Sequence, residues 1–378
     1  MSSPPSATRR GRIVDSSTTS VEWIETLSPW PTDGFGLERI SALLARLGNP
    51  QRAFTSIHVV GTNGKSTTAR TIARLLADEG LRSASYLSPH VDGWHERLDT
   101  DPDGVERGFA RVRAAAEAVG ATQFEAVTAA AFADFAERGV QVAAVEAGLG
   151  GRHDATNVVD ASVVVLTNVA LDHTDVLGAT RELIAAEKLA VVRPGAVVVT
   201  GEPEWADLAR AQGAARVDLP GASALALAGA AAEAYLERPL AAIPQHAAEL
   251  PGRLERRSER PLEIRDGAHN LAGVGWLLPR LPDRSFTLVA SILADKDADS
   301  MLRALAQRAD TLVATQSSSA RAIPADELAA AAKPYFTRVE SVSDPSAARL
   351  RGLELAGPEG ALLVAGSLYL LADLSSDE

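Results

Sequence analysis

Gly61-Thr62-Asn63-Gly64-Lys65-Ser66 lies between the apolar run Ile57–Val60 and a helix-like run that begins at Thr67. A buried strand, a glycine turn and a helix start aim backbone N–H groups and the positive end of a helix at one point. That point suits a nucleotide phosphate. Lys65 adds a mobile positive charge, and Ser66 or Thr67 supplies a hydroxyl for Mg²⁺. The eight-residue form of this motif is incomplete, because its first glycine would fall at Val59.

Four further segments could carry chemistry beside it. Val142–Glu146 is an apolar run ending in a carboxylate, which at a strand end can hold Mg²⁺ near phosphates. Glycines 148, 150 and 151 follow at once and favour close backbone approach to a ligand. Val163–Asn168 leads into Leu171-Asp-His-Thr174. Mg²⁺ prefers oxygen, so His173 would be an unusual ligand, yet it follows a buried strand near the phosphate turn. Glu187-Lys188 lies in a helix-like run and, from its residues alone, reads as solvated helix charge. Leu87–His90 and Trp94–Arg97 form a loop whose tryptophan and arginine could bind an anionic aromatic ligand or be a surface turn.

The elements that must position these residues alternate. Strands are expected at 57–60, 83–87, 142–146, 162–166 and 196–200, then at 262–265, 286–290, 311–314 and 361–365. Helices are expected between them, at 67–79, 105–119, 125–138, 181–190, 222–237, 273–281 and 299–308. Such alternation means parallel sheets with crossover helices, and ligands at the carboxyl ends of the strands. The stretch 241–260 breaks the pattern with prolines, Gly252 and charges, and reads as a boundary.

Composition narrows the function. The chain has 378 residues, enough for about two domains. It has no cysteine, which excludes disulfides, zinc thiolates and thiol nucleophiles and fits a cytoplasmic protein. Its net charge of −12 gives no nucleic-acid footprint, so anionic phosphates call for locally concentrated cations and metal. No apolar run is long enough to span a membrane. The polar, basic start carries no signal peptide and reads, over residues 1–20, as a disordered tail.

Taken in order, a longer series resembles a known family. It comprises Gly61–Lys65, Ser88-Pro-His90, Glu96-Arg97, Phe124-Glu125, Gly148–Asn157, Leu171–Thr174, Glu187-Lys188 and Arg193-Pro-Gly195. Later come Pro251–Glu255, Asp266–Asn270, Asp295–Asp297 and Gly366–Tyr369. The series resembles the bifunctional dihydrofolate synthase/folylpolyglutamate synthase family of the Mur ligase superfamily, from about Phe35 to Leu371.

The resemblance implies an α/β fold. Residues 21–250 would form a P-loop ATPase-like parallel-sheet domain, and residues 251–378 a smaller Rossmann-like domain. It implies an ATP-dependent ligase with Mg²⁺, acting on L-glutamate and a pteroate or folate. ATP would phosphorylate the substrate carboxylate, and the glutamate amine would attack the acyl phosphate. The alternatives are another carboxylate substrate, or binding of nucleotide or folate without turnover. The enzyme is expected to be a monomer.

By the same resemblance, Gly61, Thr62, Asn63, Gly64, Lys65, Ser66 and Thr67 hold the ATP phosphates, with Arg253, Asp266 and His269 from the linker and second domain. Ser88 and Glu146 match ligands of one Mg²⁺, and His173 a ligand of a second. Lys188 matches a lysine carbamylated on its amine, also a metal ligand. Lys65, Lys188 and His173 would be catalytic. The pteroate site would comprise Gly34, Phe35, Thr122, Gln123, Phe124, Glu125, Arg152, His153 and Asp154.

Three departures stand out. Ser66 and Thr67 follow the P-loop lysine where the family has Gly and then Ser or Thr. His153 replaces an apolar residue. The segment between Gly201 and Pro251 is short and lacks an evident counterpart of the asparagine that contacts the nucleotide, so weaker ATP binding is expected.

Overall fold

Five of the six residues of Thr55–Val60 are buried, the mark of a strand covered on both faces. This strand, β1, sits inside the first of two six-stranded sheets. The first sheet comprises β1, β2 (Ser83–Tyr86), β3 (Val142–Glu146), β4 (Ala161–Leu166), β5 (Val197–Thr200) and β6 (Arg216–Asp218). Its order is β2-β3-β1-β4-β5-β6, and every pairing is parallel. The second comprises β7 (Glu255–Glu259), β8 (Leu262–Arg265), β9 (Phe286–Ala290), β10 (Ala309–Ala314), β11 (Arg338–Ser341) and β12 (Ala361–Ala365). Its order is β11-β10-β9-β12-β8-β7.

The computed structural model describes residues 19–31 and 34–376. The tail expected over residues 1–20 lies outside them, except at its last two positions. There Thr19 closes a capping box on the helix Ser20–Glu25, so regular structure starts before residue 21.

Parallel pairing puts all the carboxyl ends of a sheet on one edge. In the first sheet Val59 pairs with Glu146, Val60 with Leu166, and Tyr86 with Val145. The residues that follow these strands, Gly61, Ser88 and Asn168, therefore emerge beside the Glu146 carboxylate. In the second sheet Val364 pairs with Arg265 and Ala365 with Ala290, which brings Asp266 and Ser367 to one edge in the same way.

Two expectations need correction. The second sheet is not wholly parallel, because β7 runs antiparallel to β8. The two are joined by a tight turn at Arg260-Pro261, and a short hairpin cannot return a strand in parallel. Strands β6, β7 and β11 were also not expected. All three lie at sheet edges, where one side has no partner and the run carries polar residues. The seven expected helices lie within a few residues of their places, helices at Glu38–Arg46, Ala325–Ala332, Pro345–Ala356 and Leu368–Ser376 were not expected, and Thr122 starts Gln123–Glu137 with a second capping box.

Packing of the glycine segment fixes the site's floor. A Cβ on Gly151 would stand 2.6 Å from the Lys188 carbonyl oxygen and 2.8 Å from that of Glu187. These are backbone atoms of the helix Arg181–Leu189 and cannot swing away. Arg152 N–H donates to the Glu187 carbonyl at 3.1 Å, which pins the contact. Gly151→Ala is expected to cost about 1–3 kcal/mol by overpacking, read as a lower urea midpoint with an unchanged slope.

Candidate functional site

The phosphate turn is built by glycines and by the neighbouring strand end. Gly61 has φ 148°, and a Cβ there would meet Thr167 Oγ1 at 1.8 Å, so no larger residue fits. Asn168 Oδ1 accepts from Asn63 N–H at 2.9 Å, while Thr167 Oγ1 donates to the Asn63 carbonyl at 2.8 Å. Gly64, with φ 79°, then starts the helix Lys65–Asp78 without a side-chain cap. The helix's first N–H groups remain available to an anion at the cleft.

Charge converges beside this turn. Lys65 Nζ lies 4.0 Å from Glu146 Oε1 and donates to the Thr62 carbonyl at 3.3 Å. Glu146 is 1% exposed and accepts from Ser88 N–H at 3.0 Å. Burial raises its pKa, against the opposing effects of Lys65, the Ser88 N–H, the Ser66 hydroxyl and Arg253. Lys188 is 4% exposed, and its Nζ donates to the Gly61 carbonyl at 2.8 Å. Burial, with Lys65 nearby, pulls the Lys188 ammonium down to about 7, so a neutral amine is accessible near neutral pH.

His173 holds a left-handed backbone at φ 49° and faces the same cleft. Burial lowers its pKa, and the Asp172 carboxylate opposes the shift. Among the described residues no three His, Asp or Glu side chains cluster to cage an ion. Mg²⁺ does not require a cage, since it binds through one or two carboxylates, substrate phosphates and retained water. The oxygens of buried Glu146 and Ser66, with that of half-buried Ser88, fit that partial set.

The cleft between the sheets encloses about 1050 Å³. It collects Gly61–Thr67, Ser88, Glu146, His173, Lys188, Arg253, Asp266 and His269, and also Phe35, Thr122–Glu125, His153 and Asp154. Gly34 and Arg152 do not line it. Arg152 turns its side chain to Glu187 at 3.2 Å.

Several acids here serve the walls. Asp154 accepts from Leu149 N–H at 2.7 Å, from Thr156 N–H at 3.0 Å and from the Thr156 hydroxyl. Glu125 accepts from Thr122 N–H at 2.8 Å and from Arg39 Nε at 2.7 Å. Asp266 accepts from Leu254 N–H at 2.7 Å and Ala268 N–H at 2.8 Å. The apolar surface comes from Phe124, packed on Gly148, and from Trp30 and Phe35, whose rings meet edge to face at 6.0 Å.

Residues that follow the second sheet's strands reach the turn and the Asp172 carboxylate beside it. Asp172 Oδ1 pairs with Lys296 Nζ at 2.5 Å, and its Oδ2 accepts from Asn270 Nδ2 at 2.8 Å. Asn270 also meets Asn63 of the turn at 3.2 Å. His269 is half-buried, with Nδ1 2.8 Å from the Gly267 carbonyl, and loss of solvent around the ring lowers its pKa to about 4. Asn168, Asp172, Asn270 and Lys296 were not assigned roles from the sequence. Each sits inside or beside a motif read there, so the signal was present, but only the fold shows that they meet. Trp30 gave no signal.

The short Gly201–Pro251 segment leads from β6 straight to the helix Ala224–Leu236. Ala222 abuts Gly201, and Ser223 caps the helix through Ala226 N–H. The cleft continues there along Ala222–Leu225 and Gln245–Glu249, so its polar side chains at that end are Ser223, Gln245, His246 and Glu249.

Comparisons with known proteins agree with this geometry. Residues 59–212 match the Mur ligase middle domain, and residues 252–368 match the Mur ligase, glutamate ligase domain. A Mycobacterium tuberculosis dihydrofolate synthase/folylpolyglutamate synthase is 33% identical over 81% of this chain and 80% of its own. A Lacticaseibacillus casei folylpolyglutamate synthase is 32% identical over 88% of this chain and 92% of its own. The Escherichia coli FolC structure in complex with DHPP and ADP superposes with TM-score 0.82 at 30% identity, covering 96% of this chain and 98% of that one. A Yersinia pestis bifunctional enzyme complexed with AMPPNP and Mn ion gives TM-score 0.82 at 31% identity, over 97% and 99% of the chains.

The Asp172 contacts generate a stability prediction. Burial acts to raise the Asp172 pKa, but Lys296, His173 and His269 together hold it well below the usual carboxylate range. A depressed folded pKa means the stabilisation is complete above the unfolded value of about 4, shrinks as pH falls below it, and is fully lost only as pH passes through the depressed folded pKa. Asp172→Asn leaves Lys296 only Asp295, at 3.3 Å. It is expected to cost about 1–3 kcal/mol in urea unfolding at pH 7, and progressively less as pH falls below about 4.

Proposed function

This chain belongs to the dihydrofolate synthase/folylpolyglutamate synthase family of Mur ligases, and from that premise we propose which residues carry its reaction. It is an ATP-dependent ligase that joins L-glutamate to a pteroate or folate carboxylate. One observation carries the assignment of residues: Lys65 and Glu146 meet at 4.0 Å in a cleft that also holds the Phe124 wall and the Asp266–His269 turn.

The Gly61–Thr67 turn binds the triphosphate, and Lys65 neutralises charge on the phosphoryl group as it moves. Mg²⁺, when bound, supplies further neutralisation, held by Glu146 and Ser88 with His173 at a second position. Arg253, Asp266 and His269 meet the nucleotide from the other side. Phe35, Thr122–Glu125 and His153-Asp154 form the wall for the pteroate, with Gly34 and Arg152 at its margin. Residues 21–250 act as the ATPase domain and 251–378 as its partner.

Lys188 is carbamylated in the working enzyme. Its neutral amine attacks CO₂, forming an N–C bond and releasing a proton, and the cation becomes an anion. Burial against the Gly61 carbonyl favours the neutral amine that this needs.

Three experiments test this reading. Phosphate release with ATP, L-glutamate and a carboxylate panel is expected with dihydropteroate or tetrahydrofolate and not with unrelated acids. Release with none of the panel would overturn the ligase assignment. Lys65→Ala is expected to lower turnover by about two to three orders of magnitude with the fold intact. Protein equilibrated with ¹³CO₂ is expected to give a carbamate signal in ¹³C NMR that Lys188→Ala abolishes, and that fades as pH falls below 7.

A further inference from the structure

His58 stands in the middle of β1, paired with Val145 of β3 on one side and Val164 of β4 on the other, and is 1% exposed. Ile57 and Val59 share a buried cluster with Ile72 and Leu76 of the helix Lys65–Asp78. Successive side chains of a strand alternate faces, so the imidazole enters the opposite layer. An aliphatic residue would fill that place at no cost in hydration. A buried imidazole has to find a partner.

The partner is Thr156, in the short turn Ala155–Val158. His58 Nε2 lies 2.8 Å from Thr156 Oγ1, and that hydroxyl also makes a short contact with Asp154 Oδ1. Asp154 accepts backbone N–H groups on both oxygens, from Thr156 on Oδ1 at 3.0 Å and from Leu149 on Oδ2 at 2.7 Å. Burial raises the Asp154 pKa, and these donors oppose the shift and favour the carboxylate. A hydroxyl has one hydrogen, and here the carboxylate takes it. The imidazole must therefore donate to the hydroxyl, which places the ring proton on Nε2. Burial, with Arg193 nearby, pushes the His58 pKa down to about 3, so the neutral ring has that one proton to give.

The relay leads from the interior of the sheet to the cleft. Of its three members, Asp154 alone lines the cleft, between His153 and Ala155 and beside Phe124. The rest of the Gly148–Asn157 segment is tied from its outer side. Asn157 Nδ2 donates to the Arg152 carbonyl at 2.9 Å, and Arg193 donates to the Asn157 carbonyl at 2.9 Å. The phosphate turn begins three residues after His58, yet its supports are Thr167 and Asn168.

We propose that His58 is a positioning residue for the pteroate: through the Thr156 hydroxyl it fixes the Asp154 carboxylate, and with it the Leu149–Asp154 rim on which the pteroate packs. The proposal rests on the ligase reading above. Its consequence runs against position in the chain, because a residue next to the phosphate turn serves the other substrate and leaves ATP alone.

The test is steady-state phosphate release by the full chain, with each substrate varied in turn. Wild-type release that needs neither dihydropteroate nor tetrahydrofolate would sink the ligase reading itself. Where wild type does need one of them, His58→Leu is expected to raise its KM about tenfold, the effect of a lost hydrogen bond in a chain that ends on a charge. The ATP and L-glutamate KM should stay within about threefold of wild type. His58→Gln, whose amide N–H can stand where Nε2 stood, should recover most of the loss. Thr156→Val removes the hydroxyl at nearly constant shape and should match His58→Leu. The double variant should be no worse than either single one, since both break the same chain. An unchanged pteroate KM in folded His58→Leu, an equal rise in the ATP KM, or failure of His58→Gln to recover would each overturn the proposal. So would a double variant whose pteroate KM is raised by the product of the two single effects. Should His58→Leu not fold, Thr156→Val alone decides: a pteroate KM equal to that of wild type would overturn the proposal.

Discussion

Parallel pairing of β1 on both sides is the constraint on which the site depends. It fixes the register of β3 and β4 against β1 and so decides that Gly61, Glu146 and Asn168 leave their strands together. A slip of one residue between β1 and β3 would turn the Glu146 carboxylate into the opposite layer of the sheet. Lys65 would then face no acid, and the Ser88 amide no acceptor. Close packing on both faces of β1, β3 and β4 secures the register, because nearly every residue is buried and a slipped arrangement would lose that packing.

The electrostatic plan follows from an acidic chain handling acidic ligands. With a net charge of −12, the molecule cannot rely on a diffuse positive field. Its acids near the cleft are instead saturated with local donors: Asp154 and Asp266 by backbone amides, Glu125 by a helix start and Arg39. Their charge is spent on wall geometry and is offset where it sits. Lys65, Lys188, Arg97 and Arg253 then dominate the space that phosphates and carboxylates enter.

Much of this was legible in the sequence, and the failures have physical causes. Strands buried on both faces announced themselves as apolar runs, so β3, β9 and β12 were bounded to the residue, and β8 was too despite Glu263 and Arg265. Strands β6, β7 and β11 were missed because an edge strand needs no apolar face and gains only one set of hydrogen bonds. Lys188 shows the limit for single residues. A lysine in an amphipathic helix reads as solvated, and only the close seat of Gly151 against that helix buries it. Family resemblance supplied what periodicity could not. The meeting of Asp172 with Lys296 and Asn270 joins residues more than ninety positions apart, which no local pattern encodes.

The backbone passes between the two sheets once, through the irregular stretch after the helix Ala224–Leu236 and before β7. Each side of that passage has a buried core of its own. The tether therefore does thermodynamic work unrelated to any contact it makes: it presents each half to the other at an effective concentration on the order of millimolar. Cut at that point, the halves would have to find one another by diffusion, and the Asp172 cluster would become an intermolecular joint. Activity per molecule would then rise with protein concentration, a behaviour foreign to the intact chain.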